Sequence, residues 1–154
     1  MFATPRKFFR FFAIAEVISW TLLIGGLILR ATQDWDLAVT IGGGIHGFVF
    51  LSYALTAILV SKNQRWSPVP TTISIVSAGI PYATVPVDLW LHRTGRLEGS
   101  WRRTATEDPR DHTWHDRFLR WVINHPMRSI VIGLVAVVVA YVALLLMGPP
   151  VDRG

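Results

Sequence analysis

The sequence predicts an all-α polytopic membrane bundle of four transmembrane helices plus one interfacial amphipathic helix. Three observations carry that class. Of 154 residues, 51% are hydrophobic and only 16% charged, whereas soluble domains carry about 25% charged residues. The apolar residues gather into four blocks, 8–29, 37–60, 69–91 and 127–147, each reaching the roughly 20 residues that a helix needs to cross a hydrocarbon core. Most of the charge lies between these blocks. A soluble globular enzyme and a disordered tail are both excluded by this distribution.

The first block opens with Thr4-Pro5, an N-cap followed by proline at the first helical position. Phe8, Phe9, Phe11 and Phe12 are expected at headgroup level, where aromatic rings favour the wet-apolar boundary. The basic N-terminus resembles the start of a signal peptide, but the apolar run far exceeds an h-region and no small-x-small cleavage site follows it. A retained first span is expected, ending at Arg30. The short loop Ala31–Asp36 makes the second block its antiparallel neighbour; this block passes Gly42-Gly43-Gly44 and ends near Ser61. The third block carries Gly79, Pro81 and Pro86, and proline breaks the hydrogen-bond ladder, so that helix should be kinked or discontinuous there. Residues 92–126 form a polar Arg/Trp-rich segment in which Trp114, Phe118 and Trp121 recur at helical spacing, as in an amphipathic helix lying in the interface. The fourth block, Met127–Met147, is nearly pure Val, Leu, Ala and Ile, and Gly148-Pro149-Pro150 ends it. The organisation is thus a three-span module (1–93), a polar loop with the interfacial helix (94–126) and a last span with a short tail (127–154).

Net charge is +5. The basic residues lie in loops, where they set orientation and contact anionic headgroups, so nucleic acid is not an expected partner. With four true spans, six Lys and Arg residues fall on the side of the termini and nine on the other. The positive-inside rule then puts the 92–126 loop in the cytoplasm and both termini outside. The basic N-terminus argues the other way, and a re-entrant third block would reconcile the two. Four true spans are the preferred reading.

Two ionisable groups lie deep in the apolar blocks, Glu16 and His46. Charge near the bilayer centre costs about 2.5–3.5 kcal/mol on insertion scales, so such groups usually have partners. Counted from opposite faces at about 1.5 Å per residue, the two sit about 12 and 13 Å deep, leaving several ångströms for side-chain reach, tilt or a water to close. Ser19, Ser52 and Tyr53 are placed to join that network. A hydrogen bond fastening spans one and two together outweighs a proton-sensitive or ligand-binding site. Gly43 and Gly47 give the small-xxx-small spacing of a packing face. Asp88 is read as an interfacial carboxylate paired with a nearby Arg. His112 and His115 lack a third ligand, so a solvated helix start capped by Asp111 is preferred to a metal site. There is no cysteine and no G-x-S-x-G, H-E-x-x-H or phosphate-loop motif, so no catalytic residue, metal or cofactor is expected.

Phe9-Arg10-x-x-Ala13-x-x-Glu16-x-x-Ser19-Trp20, His46-Gly47-x-x-Phe50-x-x-Tyr53 and Ile80-Pro81-Tyr82-x-Thr84 occur in order, and over residues 6–93 the chain resembles the YdzA-like family of small bacterial integral membrane proteins. The resemblance implies that the first three blocks form one module in a bacterial plasma membrane, with Glu16 and His46-Gly47 in its pattern. It supplies no chemistry. The expected role is a non-enzymatic accessory or scaffolding subunit, partnered by the lipid bilayer, by anionic headgroups at the Arg-rich loop, and by a membrane protein or further copies of itself. The alternative is a small transporter or permeation unit built on the Glu/His pair.

Overall fold

The computed structural model describes residues 3–147; Gly148-Pro149-Pro150 and Arg153 lie outside the described residues. All regular structure in it is helical: α1 (Pro5–Gln33), α2 (Asp36–Gln64), α3 (Pro68–Ser77), α4 (Thr84–Arg93), a 3-10 turn (Pro109–His112), α5 (Trp114–Asn124) and α6 (Pro126–Met147). Three helices, α1, α2 and α6, are long and apolar enough to cross a membrane.

Helix α1 begins where Thr4 Oγ1 accepts from the Lys7 amide, with Pro5 inside the first turn. It ends at Asp34, whose left-handed backbone (φ 52°) lets its amide reach the Arg30 carbonyl. The chain then reverses into α2. The two helices pack closely because glycine removes the side chain where backbones meet. A Cβ on Gly26 would stand 2.6 Å from the Ala38 carbonyl oxygen, and one on Gly42 would stand 2.8 Å from that of Leu22. These are backbone atoms that cannot swing aside, so the two glycines fix both the separation and the register of the pair.

Of the expected packing pair, Gly43 meets nothing nearer than Leu23 Cδ1 at 3.8 Å, an ordinary contact, because it lies one position round the helix from Gly42. Gly47 does serve a helix contact, but with α6. There the Tyr141 ring packs over Gly44 and Gly47, at 3.0 and 3.1 Å from their notional Cβ positions.

The third apolar block is discontinuous, as its glycine and prolines predict, and is divided into two short helices. Helices α3 and α4 have 10 residues each, about 15 Å, half of a hydrocarbon core. The break runs through Gly79-Ile80-Pro81-Tyr82, where Tyr82 takes the left-handed conformation (φ 63°). Gly79 and Pro81 are in the break itself, whereas Pro86 sits in the first turn of α4, where its missing N–H interrupts no helical bond. Long-range bonds give the direction of each limb. Trp20 Nε1 donates to the Ala78 carbonyl, Thr84 Oγ1 donates to that of Ala13, and Arg10 holds Asp88. From residue 78 to 88 the chain therefore moves back down α1 towards its N-terminus. Trp66 Nε1, just before α3, donates to the Arg96 carbonyl, just after α4. Both ends of the segment thus lie at one end of the bundle, and α3–α4 is a helical hairpin that enters and returns.

The hydrophobic core lies at that same end. Phe9, Ala13, Tyr53, Ala57, Val60, Ala78, Leu91 and Leu97 are buried together. Phe9, one of the rings expected at headgroup level, is a core ring packed between Tyr53 (5.4 Å) and Trp66 (6.1 Å). Helix α6 runs antiparallel to α2, with Gly133 beside Leu55 and Tyr141 beside Gly44. Val137 is buried and Tyr141 packs inward, while Met127, Ile130, Val131, Ile132, Leu134 and Val135 are exposed.

This topology gathers the positive charge. Arg6, Lys7, Arg10, Lys62, Arg65, Arg93, Arg96, Arg102, Arg103, Arg110, Arg117, Arg120 and Arg128 all belong to the end where α1 and α6 begin and α2 ends, while Arg30 is the one described basic residue at the other. The near balance read from four spans becomes thirteen to one among the described residues.

Candidate functional site

The register set by Gly26 and Gly42 carries Glu16, Ser19 and His46 into contact. Along α1 the buried positions Phe9, Ala13, Glu16, Ser19 and Gly26 recur at spacings of three, four and seven, so Glu16 faces α2. His46 Nδ1 stands 3.3 Å from Glu16 Oε2 and 3.0 Å from Ser19 Oγ, and Ser19 Oγ donates to Glu16 Oε2 at 2.9 Å. Glu16 is wholly buried, Ser19 is 1% exposed, and the Trp20 ring lies over the imidazole at 4.3 Å.

Donor arithmetic orders the triad. Ser19 has one hydroxyl hydrogen and Glu16 is an acceptor, so a chain from His46 Nδ1–H through Ser19 Oγ–H to Glu16 Oε2 satisfies all three. Glu16 Oε1 is buried without a partner among the described residues. The arrangement can hold a proton between imidazole and carboxylate. Ser19 Oγ is buried and donates to Glu16.

Tyr53 lies near the triad but belongs to a separate contact, its hydroxyl 3.4 Å from Ser77 Oγ, which in turn donates to the Ser74 carbonyl. Ser52 bonds its own helix at the Phe48 carbonyl. The Asp88 carboxylate pairs with Arg10 of α1, through Nε at 3.0 Å and Nη2 at 2.8 Å, rather than with its chain neighbour Arg93.

A second polar centre was not legible as such in the sequence. Asp111, expected to cap a helix, is 2% exposed and is the hub of the 100–124 segment. Its Oδ1 receives Arg65 at 2.6 Å and Arg102 at 2.9 Å, and its Oδ2 receives the amide and hydroxyl of Thr106. Thr113 takes the capping position of α5 instead. Asp108 binds Arg65 and Arg110, and Asp116 binds Arg102 at 2.8 Å. The Thr106 donors, then Arg65, hold Asp111 well below the usual carboxylate range; Arg110 and Arg65 do the same for Asp108. Arg102 also donates to the Lys62 and Asn63 carbonyls, so the cluster bolts the segment onto the last turn of α2.

Helix α5 then buries Leu119 and Ile123 and leaves Trp114, Phe118 and Trp121 outside, at 75%, 59% and 37% exposure. His112 and His115 do not converge: His112 ends the 3-10 turn and His115 stacks on Trp114. No group of three or more His, Asp or Glu side chains among the described residues is placed to hold a metal ion.

Three long apolar helices around an inward-turned polar triad, with a collar of arginines at one end, define a helical membrane protein. Residues 6–93 match the family described as a domain of unknown function, DUF3817, and the chain belongs to that family. Over 91 residues, 58% of its length, it is 34% identical to a protein of Streptomyces coelicolor named "Putative membrane protein SCO5905". It spans only 11% of the length of that relative. No solved structure matches the chain. The matched region covers α1 to α4, the triad and the Arg10–Asp88 pair, and it stops before the Asp111 cluster, α5 and α6.

Proposed function

We propose that this chain is a non-enzymatic accessory or scaffolding subunit of a larger membrane assembly, seated in a bacterial plasma membrane with its basic end in the cytoplasm. The observation that carries the reading is the burial of the two α1 members of the triad, with His46 at 13% side-chain exposure. Glu16 and Ser19 are shut away from any external molecule, as expected of polar groups that fasten membrane helices. The Streptomyces relative supports it, because there the module is a small part of a much longer chain. The three motif strings that resemble the YdzA-like family lie in α1, α2 and the hairpin, and they bear on the membrane module rather than on its role. The charge distribution supports the orientation by the positive-inside rule, with α3–α4 a re-entrant hairpin and the N-terminus on the cytoplasmic side.

Purification in mild detergent followed by mass spectrometry tests this. A reproducible stoichiometric membrane partner is the expected result; recovery only as a homo-oligomer would overturn it.

The transporter reading draws on one observation, the unpartnered Glu16 Oε1 at the depth reached by the hairpin tip. It requires water at the triad. The chain has no cysteine, so Leu23→Cys and Val49→Cys report directly. Labelling of both by a hydrophilic thiol reagent in intact membranes would replace the scaffold with a permeation unit.

A further inference from the structure

The elbow between α5 and α6 carries a second inference, independent of the triad and of any protein partner. The helices meet at His125 and are held there by Ser129, whose hydroxyl donates to the Val122 carbonyl at 2.8 Å. Beside the bend is a shallow, open groove lined by Trp121, Met127, Arg128, Val131 and Ile132.

Its lining is apolar. Met127, Val131 and Ile132 form a floor exposed by 77%, 59% and 54% and continuous with the apolar length of α6. Trp121 and the aliphatic stem of Arg128 complete it. Trp121 is stacked between Phe118 and His125, at 6.2 and 5.3 Å between ring centres, which fixes the aromatic wall.

The ion pairs at this end of the bundle do not reach Arg128. Arg65, Arg102 and Arg110 are held by Asp108, Asp111 and Asp116, and Arg10 by Asp88. Arg128 has no acidic partner among the described residues, and neither has Arg103, whose carbonyl accepts from Asn124 beside the elbow. An exposed arginine without an acidic partner among the described residues, beside an apolar groove at the start of a long apolar helix, matches a phosphodiester joined to a hydrocarbon chain. Arginine binds phosphate through paired N–H donors, and tryptophan prefers the depth at which headgroups lie.

We propose that the α5–α6 elbow is a binding site for one anionic phospholipid of the adjoining leaflet, with its phosphate on Arg128 and an acyl chain along Val131 and Ile132. A free phosphate would leave the floor unused, and a zwitterionic lipid would gain less from the unneutralised cation.

The full chain, purified and delipidated in a mild detergent, is titrated with phosphatidylglycerol or phosphatidylcholine and the retained adducts are counted by native mass spectrometry. Wild type should retain phosphatidylglycerol preferentially. One basic side chain near an anionic headgroup is worth about a five-fold preference, so Arg128→Gln should lose about that factor and Arg128→Lys should keep most of it. Arg128 is exposed, and unchanged circular dichroism in Arg128→Gln shows that the fold is intact. Equal retention of the two lipids by wild type, or an unaltered preference in Arg128→Gln, overturns the site. So does displacement of the lipid by inorganic phosphate alone, or by a co-purifying protein seated on the elbow. The scaffold reading stands or falls separately, by partner recovery.

Discussion

Replacing His46 with Ala should loosen α1 from α2, and a double-mutant cycle with Glu16→Gln should show that the two residues act together. His46→Ala removes the Nδ1 contacts with Glu16 Oε2 at 3.3 Å and Ser19 Oγ at 3.0 Å, and the ring contacts with Trp20 and Phe50. Hydrogen bonds between membrane helices average about 0.6 kcal/mol and reach about 1.7. One such bond, with the His46–Glu16 contact and the lost ring packing, puts the single substitution at about 1–3 kcal/mol. Glu16→Gln keeps an acceptor for Ser19 and should cost less.

The coupling term isolates the Glu16–His46 contact and should fall at about 0.6–1.7 kcal/mol. Unfolding in mixed micelles by titrated dodecyl sulfate, followed by circular dichroism, measures all four corners of the cycle. Additivity within about 0.3 kcal/mol, the behaviour of independent sites, would refute the lock. A His46→Ala protein of normal stability that had lost its cellular role would turn the triad from a fastening into a working site.

Three further outcomes follow from the geometry. Gly42→Val drives a side chain against the Leu22 carbonyl and should cost about 1–3 kcal/mol. Gly25→Ala, with nothing within 4 Å of its Cβ, should be neutral or stabilising by up to about 1 kcal/mol; equal losses in a thermal unfolding comparison would contradict the assigned close approach. Asp108 and Asp111 have folded-state pKa values below their unfolded ones, so their stabilisation is complete at neutral pH. It is lost as pH falls below the ordinary aspartate value of about 3.9 towards the lower folded values. Asp111→Asn should release the segment without acid, read as faster tryptic cleavage at Arg102 and Arg103 at pH 7. Cysteines placed at Lys7 and Arg103 should label from one side of the membrane and one at Trp35 from the other. Labelling of Lys7→Cys and Arg103→Cys from opposite sides would restore the four-span topology.

Local features were readable in order. Thr4-Pro5 starts a helix because a capping oxygen and a fixed φ act within one turn, and Gly79 with Pro81 marked the break in the third block. Direction was not readable. Gly79 and Pro81 fit a kink or a reversal equally, and the choice rests on bonds spanning 30 to 78 residues, from Trp66 to Arg96 and from Arg10 to Asp88.

Depth counting from block ends also left Glu16 and His46 several ångströms apart. The register pins Gly26 against Ala38 and Gly42 against Leu22, which places residue 16 opposite about residue 48, within one helical turn of His46. The small residues that set this register are Gly26 and Gly42, and Gly43 looked as suitable as Gly42 because spacing alone does not say which face meets the neighbour. Asp111 resembled a cap because its partners Arg65 and Arg102 are distant in sequence or hidden among other arginines.

By itself, then, the sequence determined the class of protein: its apolar blocks must be helical and membrane-embedded, because an unpaired backbone is too costly in lipid. It also placed two ionisable groups where they require partners. Only the tertiary structure decided that the third block returns to the end of the bundle where it began, that the arginines share one end, and that Glu16 meets His46. Helix formation follows from residues a few positions apart, whereas direction and register follow from backbone contacts and ion pairs that exist only once distant segments have packed.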